Sequence, residues 1–152
     1  MSSASSSPIR YSGPWAKSRV REFLAETCIP VRLAANTDTG FPIVLSLWFL
    51  SEGDDLLAAV HRSSRIAKRL TDDARCAFEI APDDPPYRGV RGQAVAGLRA
   101  EGAADLLERL LHRYLGSTDS SLGRFLLGRA EEELVVRLTP SWIDSWDYSR
   151  RM

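Results

Sequence analysis

The order of the predicted secondary-structure elements constrains the fold of this chain more than any single motif does. Apolar and polar residues alternate through most of the sequence, and segments with helical spacing interrupt this alternation at only a few places. The pattern predicts a helix, three strands, a helix, two strands, a helix and two strands. Because strands and helices do not alternate throughout, a doubly wound parallel sheet is disfavoured. Consecutive antiparallel strands with inserted helices instead predict a partly open barrel.

The longest predicted strand, Arg88 to Ala100, is interrupted by Gly89, Gly92 and Gly97. Glycines inside a strand mark a bulge, a sharp coil, or a place where another backbone or a ligand comes close. The other strands are predicted at residues 29–35, 41–50, 56–60, 76–80, 133–138 and 141–147, with a break at Pro140. Helices are predicted at residues 18–28, 63–73 and 103–114, followed by a further short helix at 122–130.

Length and charge limit the classes of protein to which the chain can belong. Its 152 residues carry 20 basic and 20 acidic side chains, and this balance argues against nucleic-acid binding. We expect residues 1–14 to be a disordered or extended tail without a signal peptide, and residues 15–152 to be a single domain. The longest apolar run is too short to cross a membrane, so a cytoplasmic protein is expected. Cys28 and Cys76 form no CxxC pair and are predicted to be buried free thiols.

Several familiar catalytic patterns are missing from the sequence. The two histidines, His61 and His112, have no acidic or thiol neighbours at metal-ligand spacing, so no metal site is predicted. The sequence contains no GxSxG motif, no Walker loop and no GxGxxG motif. No catalytic residue is therefore assigned from the sequence.

A cluster of hydroxyls and cations marks the start of the second predicted helix. Ser63 and Ser64 precede Arg65, Lys68 and Arg69, which follow in the first turns. Free backbone N–H groups at a helix start, beside hydroxyls and an arginine, are suited to holding a phosphate. The alternative is a capped helix with a solvated basic face, and the pattern alone favours that alternative.

A second candidate segment lies at the start of the glycine-rich strand. Tyr87, Gly89 and Arg91 share one face of this strand, and Arg88 lies on the other. The glycine leaves room beside Tyr87 and Arg91 for a flat ligand or an anionic group. An aromatic strand edge with solvent-facing arginines is an equally good interpretation.

Tryptophan is concentrated in two places. Trp48 shares a strand face with Ser46, where it is typical of a core or interface and could also line a cofactor pocket. Trp142, Trp146 and Tyr148 crowd the end of the chain. So many aromatic residues in a terminal segment predict a subunit contact, or a lid over a neighbour's pocket.

Three loose motifs together resemble a known family. They are Gly40-Phe41-Pro42 leading to Trp48-Phe49, the helix from Ser64-Arg65 to Leu70 before Asp73-Ala74-Arg75, and Arg91-Gly92-Gln93-Ala94. In their order and spacing, the motifs are similar to those of the pyridoxamine 5′-phosphate oxidase-like FMN-binding split-barrel family. The similarity is greatest to the short actinobacterial type in the flavin and deazaflavin oxidoreductase group, and it runs from about Val20 to Trp146.

The resemblance implies a mainly β fold, an antiparallel six-stranded split β-barrel with inserted helices. It also implies a homodimer with the cofactor, FMN or alternatively a deazaflavin, between the subunits. Arg65 matches a phosphate-binding position, whereas the next position, often lysine in the family, is Ile66, for which Lys68 or Arg69 would compensate. The other implied cofactor-binding residues are Leu45, Ser46, Leu47 and Trp48 beside the ring system, Val60 and His61 near the phosphate-side edge, and Tyr87, Arg88 and Arg91 on the glycine-rich strand.

The implied function is a flavin-dependent oxidoreductase with a small-molecule substrate, because a flavin supplies hydride chemistry without a protein nucleophile. A deazaflavin-dependent reductase is the first alternative, in which Arg88 and Arg91 would meet the acidic tail of the coenzyme. A non-catalytic flavin- or haem-binding protein is the second, with His61 as the candidate haem ligand. The segment 145–151 does not match the C-terminal substrate-binding pattern of the true oxidase, so pyridoxamine phosphate oxidation is not expected.

Overall fold

The computed structural model describes residues 7–152, so the first six residues of the predicted tail lie outside the described residues. The described chain forms eight strands and four α-helices. The strands are β1 (Arg10–Ser12), β2 (Val31–Ala35), β3 (Ile43–Leu47), β4 (Phe49–Glu52), β5 (Asp55–His61), β6 (Arg75–Ile80), β7 (Arg88–Arg99) and β8 (Glu133–Asp147). The helices are α1 (Lys17–Glu26), α2 (Arg65–Asp72), α3 (Ala103–Leu115) and α4 (Ser121–Gly128), with 3-10 turns at Ala130–Glu132 and Ser149–Arg151.

One curled antiparallel sheet makes up the body of the molecule. Its strand order is β3-β2-β6-β7-β8-β5-β4, and β1 adds to β8 in parallel. The two ends of this order, β3 and β4, are consecutive in the chain and are joined through Trp48 alone. Because these two ends are adjacent in the chain, the sheet must curl into a barrel, but β3 and β4 do not pair with each other and the barrel stays open between them. The predicted mainly β, antiparallel barrel with inserted helices is therefore confirmed.

The prediction of six strands was wrong, and so were two strand boundaries. Residues 41–50 were predicted as one strand, but the strand breaks at Trp48, where the Phe49 amide donates to the Tyr114 hydroxyl (3.2 Å). Residues 133–147 were predicted as two strands, but they form one. Pro140 pairs with Ala94 and Trp142 pairs with Gln93, so a bulge takes up the intervening residue. A bulge tolerates a proline that has no N–H to donate, and the strand continues through it.

Two apolar clusters hold the barrel and its helices together. The larger cluster fills the barrel, where α1 contributes Val20, Phe23 and Leu24. The smaller cluster lies outside, where the apolar face of α3 covers β5 and β8. Leu56 of β5 packs in the first cluster and Leu57 in the second, so this strand is buried on both faces. That double burial explains why β5 has an almost continuous apolar sequence.

One arginine links the end of α1 to α3. The Arg113 guanidinium donates to three carbonyl oxygens at the end of α1: those of Ala25 (3.0 Å), Leu24 (3.1 Å) and Thr27. A helix end leaves carbonyl groups without intrahelical partners and carries a partial negative charge, and a cation satisfies both. Arg113 therefore fixes α1 against the outer helix.

The two cysteines differ in environment. Cys76 is buried, as predicted, and burial raises the pKa of its thiol to about 11. Cys28 is exposed, so its predicted burial was wrong. It lies after the end of α1, and its side chain belongs to neither apolar cluster. No helix within residues 7–152 has the length and apolar character needed to cross a membrane.

Candidate functional site

A cleft opens where the barrel splits. Strand β4 pairs with β5 as far as Phe49 opposite Ala58, and continuing that register would set Leu47 against Val60. Instead, the chain turns away at Trp48, and β3 pairs with β2. The gap between β3 and the end of β5 is a cleft of about 420 Å³, which lies within the size range of small-molecule sites.

The cleft brings together seven of the residues predicted to bind a cofactor. They are Leu45, Ser46, Leu47, Trp48, Val60, His61 and Ser64. The sequence analysis did not assign a further set of lining residues, which come mainly from α3, α4 and the start of β8. They are Ala59, Ile66, Leu107, Leu110, Leu126, Arg129 and Glu133.

One end of the cleft is apolar and carries a flat aromatic surface. The Trp48 ring stacks on Tyr114 with centroids 5.1 Å apart and planes 7° from parallel. The Tyr114 hydroxyl donates to the Ile29 carbonyl (2.8 Å), and burial raises its pKa, so the phenol keeps its proton. Tyr114 thereby fixes Trp48 at the point where the strand breaks, and buried Leu107 and Leu110 of α3 complete this wall.

His61 lies at the polar end of the cleft with a defined tautomer. Its Nδ1 accepts the backbone N–H of Ser63 (3.1 Å) and lies 2.7 Å from the Ser63 hydroxyl. An atom that accepts an amide N–H carries no proton, so the neutral ring is protonated at Nε2. That nitrogen lies 3.6 Å from a carboxylate oxygen of Glu132. His61 therefore presents an N–H group at this end of the cleft.

An ion pair between a buried carboxylate and a half-buried arginine lies beside His61. Glu133 is the register partner of His61, is only 4% exposed, and is the one charged residue that is buried in the described chain. Its carboxylate lies 3.3 Å from Arg129 Nη2, and the guanidinium carbon of Arg129 lies 4.6 Å from the Phe125 ring centroid. Arg129 Nε is buried without a hydrogen-bond partner. In the sequence, the single indication of this pair was Glu133, which stands at the first position of a predicted strand.

The start of α2 borders the same end of the cleft. Ser64 caps the helix, and its Oγ accepts the Ala67 amide (3.2 Å), as expected for a capped helix. Arg65 is exposed and does not line the cleft, whereas buried Ile66 does. Lys68 pairs with Asp72 (3.0 Å) and lines a separate charged groove. The structure therefore brings the backbone at the helix start to the cleft, without the side chains of Ser63, Arg65 and Lys68.

Tyr87, Arg88 and Arg91 lie away from this cleft. Tyr87 is exposed, and Arg88 pairs in register with Asp147 near the end of β8. Arg91 lies 3.0 Å from the Asp144 carboxylate, and its guanidinium carbon is 4.9 Å from the Trp146 ring centroid. Arg91 lines a groove of about 440 Å³ on the outer face of the sheet. In a single chain, these residues therefore do not share a site with Leu45–Trp48.

The C-terminal aromatic residues belong mostly to the outer surface of β8. Trp142 is half-buried, and its indole N–H donates to the Ser12 hydroxyl (2.9 Å) of β1. Trp146 lies under Arg91, and Tyr148 is exposed. None of the three lines the cleft at the split.

Comparison with known proteins gives a structural answer only. No protein-family model matches the sequence, and a search of curated proteins finds no match. Among solved structures, the conserved hypothetical protein Rv2991 from Mycobacterium tuberculosis is similar with a TM-score of 0.77 and 19% identity, over 95% of this chain and 92% of that one. A candidate pyridoxamine 5′-phosphate oxidase from Listeria innocua is similar with a TM-score of 0.65 and 15% identity, over 84% and 95%.

The chain adopts the split-barrel fold of the pyridoxamine 5′-phosphate oxidase-like proteins. Two further split barrels have similar structures. An F420 reductase has a TM-score of 0.69 and 18% identity, over 80% of this chain and 94% of that one. The haem storage protein HutZ from Vibrio cholerae has a TM-score of 0.62 and 16% identity, over 82% and 89%. The resemblance drawn from the sequence motifs is therefore confirmed for the fold.

Metal-ligand clusters are missing from the described part of the split barrel. No group of three or more histidine, cysteine, aspartate or glutamate side chains is placed to hold a metal ion there.

Proposed function

We propose that this split barrel is a flavin-dependent oxidoreductase that binds FMN in the cleft between β3 and β5. The observation that carries the proposal is the polarity of that cleft. Its Trp48 end is flat and apolar, and its other end holds His61, the start of α2 and the Arg129 guanidinium. FMN has a flat ring system at one end and a phosphate at the other, so both ends of the cleft fit the cofactor.

The residues that line the cleft would have different roles in holding FMN. Leu45, Ser46, Leu47 and Trp48 would lie beside the ring system, with Val60 at the edge of the cleft. The bound flavin would supply hydride transfer, and the protein would supply orientation and exclusion of water. The Nε2–H of His61 would donate a hydrogen bond to a polar group at the phosphate-side end. This division explains why the site needs no nucleophile with an adjacent base.

A deazaflavin coenzyme is the second candidate, and a specific observation supports it. The F420 reductase is similar over 80% of this chain, and F420 is a deazaflavin. Both cofactors combine a flat ring system with a phosphate-bearing chain, so the same cleft suits either one. Arg88 and Arg91 would reach the acidic tail of this coenzyme only from a second subunit, since neither lies at the cleft of its own chain.

We further propose that the functional unit is a homodimer formed through the outer face of the sheet. Val44, Ala34, Ala77 and Gln93 lie in register across β3, β2, β6 and β7, followed by Trp142 on β8. This row is apolar and small at its centre, and Val44 is 67% exposed. Small central side chains allow close approach of a second sheet, so a second copy is the occupant that we propose.

The charges around this row support a second copy of the same chain. Arg32, Arg75 and Arg91 lie around the two outer grooves together with Glu79. A two-fold axis sets each patch against itself, and a patch that holds both signs can then pair across the axis. Ser46 lines the cleft two residues from Val44 on β3, so a partner on this face would border the cleft. Sedimentation should give a dimer for the wild type and a monomer for Ala77→Glu, whereas a wild-type monomer at micromolar concentration would refute the dimer.

The cofactor proposal is tested by titration. Wild-type protein should bind FMN, or else the deazaflavin coenzyme, with a saturable change in fluorescence. Ala59→Phe should abolish binding because it fills the cleft, whereas Ala104→Phe on the exposed side of α3 should leave binding unchanged. The absorption spectrum of protein purified from its native host adds an independent check. A haem spectrum, or the absence of binding to both cofactors, would overturn the proposal.

A further inference from the structure

We propose that Arg129 recognises the terminal phosphate of the cofactor and that Glu133 positions it for that contact. This inference rests on the proposed function, because it names the residue that selects a phosphate-bearing flavin over one without a phosphate. The basic cluster in the sequence lies at Arg65 and Lys68, whose side chains do not line the cleft. The structure places a different cation in the cleft.

Arg129 is the cation that lines the cleft within the described residues. The chain reverses through the 3-10 turn at Ala130–Glu132, where the Glu132 amide donates to the Arg129 carbonyl (2.9 Å). This turn places the Arg129 side chain beside the first residue of β8. Arg129 therefore reaches the cleft from a connection that is distant in sequence from α2.

The hydrogen-bonding capacity of this guanidinium is mostly unused. The structure gives it one acidic partner, the Glu133 carboxylate at 3.3 Å, and its Nε is buried with no acceptor. The Phe125 ring covers one face of the guanidinium group. Five N–H donors in a planar fork suit a phosphate, which offers several oxygens in matching geometry. The Nε of Arg113 is also buried without a partner, so the donors that Arg129 can offer to a ligand in the cleft are its terminal N–H groups.

Glu133 holds this fork in place. The buried Glu133 carboxylate lies 3.3 Å from the Arg129 guanidinium, and a buried charge is tolerated in a protein when it is paired in this way. Arg129 is thus held at the cleft, whereas exposed Arg124 of α4 pairs with Asp119 (2.8 Å). Glu133 is thus a positioning residue, and a phosphate dianion would share a cation that is already oriented.

The location also favours phosphate over an anionic substrate. His61 pairs in register with Glu133, and Ser64 caps α2 three residues later. Within the described residues, the amides of Arg65 and Ile66 have no acceptor, since Ser64 takes those of Ala67 and Lys68. These amides and the Arg129 guanidinium would both be donors to one anion bound at this end of the cleft. The ring end of the cleft, where a substrate would meet the flavin, lies at Trp48 instead.

The test compares FMN with riboflavin, which has the same ring and ribityl chain but no phosphate. The variant Arg129→Gln/Glu133→Gln removes the cation without leaving an unpaired buried charge. It should weaken FMN binding by roughly 10- to 100-fold, the effect of losing a charge-assisted contact, and should leave riboflavin affinity nearly unchanged. Arg124→Gln is the matched control, because Arg124 is an exposed arginine of α4 that pairs with Asp119 (2.8 Å). It should alter neither affinity.

A second variant tests the same contact if the double variant folds poorly. Arg129→Lys retains the charge opposite Glu133 but loses the planar fork, so the preference for FMN over riboflavin should fall severalfold. Equal losses for FMN and riboflavin would overturn the inference, and so would a phosphate preference lost in Arg65→Gln but kept in both Arg129 variants. If the wild type binds the deazaflavin coenzyme instead, deazariboflavin replaces riboflavin. Failure of the wild type to bind any flavin would refute the proposed function, a distinguishable result.

Discussion

Replacing Gly92 with alanine should destabilise the barrel strongly, because this position admits no side chain. A Cβ added at Gly92 would meet the carbonyl oxygen of Trp142 on β8 and would lie 2.7 Å from the Phe78 ring. Normal contact between carbon atoms requires about 3.5–4.0 Å, so β7 and β8 would have to separate beside the bulge. Overpacking of this kind costs about 1–3 kcal/mol. For a chain of this size, the melting temperature should fall by roughly 2–4 °C for each kcal/mol.

Gly97 on the same strand provides the matched control. It is exposed, and a Cβ there has nothing within 4 Å. Gly97→Ala should therefore be neutral, or stabilise the fold by about 0.4–1 kcal/mol through the lower entropy of the unfolded chain. Thermal and urea unfolding of both variants measure the difference. Equal stability of Gly92→Ala and Gly97→Ala would refute the assignment of Gly92 to a close approach of two strands.

Three further predictions follow from single contacts. Arg113→Met should lower the free energy of unfolding by about 1.5–3 kcal/mol, because α1 loses the cation at its carbonyl end; urea denaturation measures this loss. The hydrogen bond from Arg21 lowers the pKa of Asp54 below its ordinary value of 3.8. The stability that this carboxylate contributes is therefore complete above pH 3.8 and is lost as the pH falls through the folded pKa. Asp54→Asn should remove this pH dependence and flatten the acid unfolding curve. Cys28 should react with a thiol reagent in the folded protein, while Cys76 should react only after unfolding.

The barrel could be predicted from the sequence because its signals are local. Alternation of apolar and polar residues and the turn at Gly40 are properties of short segments. The strand break at Trp48 is different, because it depends on the Tyr114 hydroxyl, 65 residues away in the sequence. The passage of β8 through Pro140 likewise depends on a bulge against β7. Interactions between distant segments leave no mark in the spacing of one strand.

The candidate site was predictable on one wall only. Leu45 to Trp48 and Val60 to His61 lie on strands whose order follows from the pattern, and the structure brings them to one cleft. Arg129 and Glu133 reach that cleft because a short turn folds back between α4 and β8. The basic run at Arg65 and Lys68 was the more conspicuous sequence signal, but these side chains face solvent or a neighbouring carboxylate. A run of charges indicates a solvated helix face more often than a ligand-binding site.

The structure of this chain with FMN bound tests the central claim most directly. We predict electron density for the ring system along Leu45–Trp48, opposite Val60, and for the phosphate at Arg129 and the start of α2. Density on the outer face of the sheet, in the groove lined by Arg91, would contradict the assignment of the cleft. So would a phosphate held by Arg65 or Lys68 with Arg129 still bound only to Glu133.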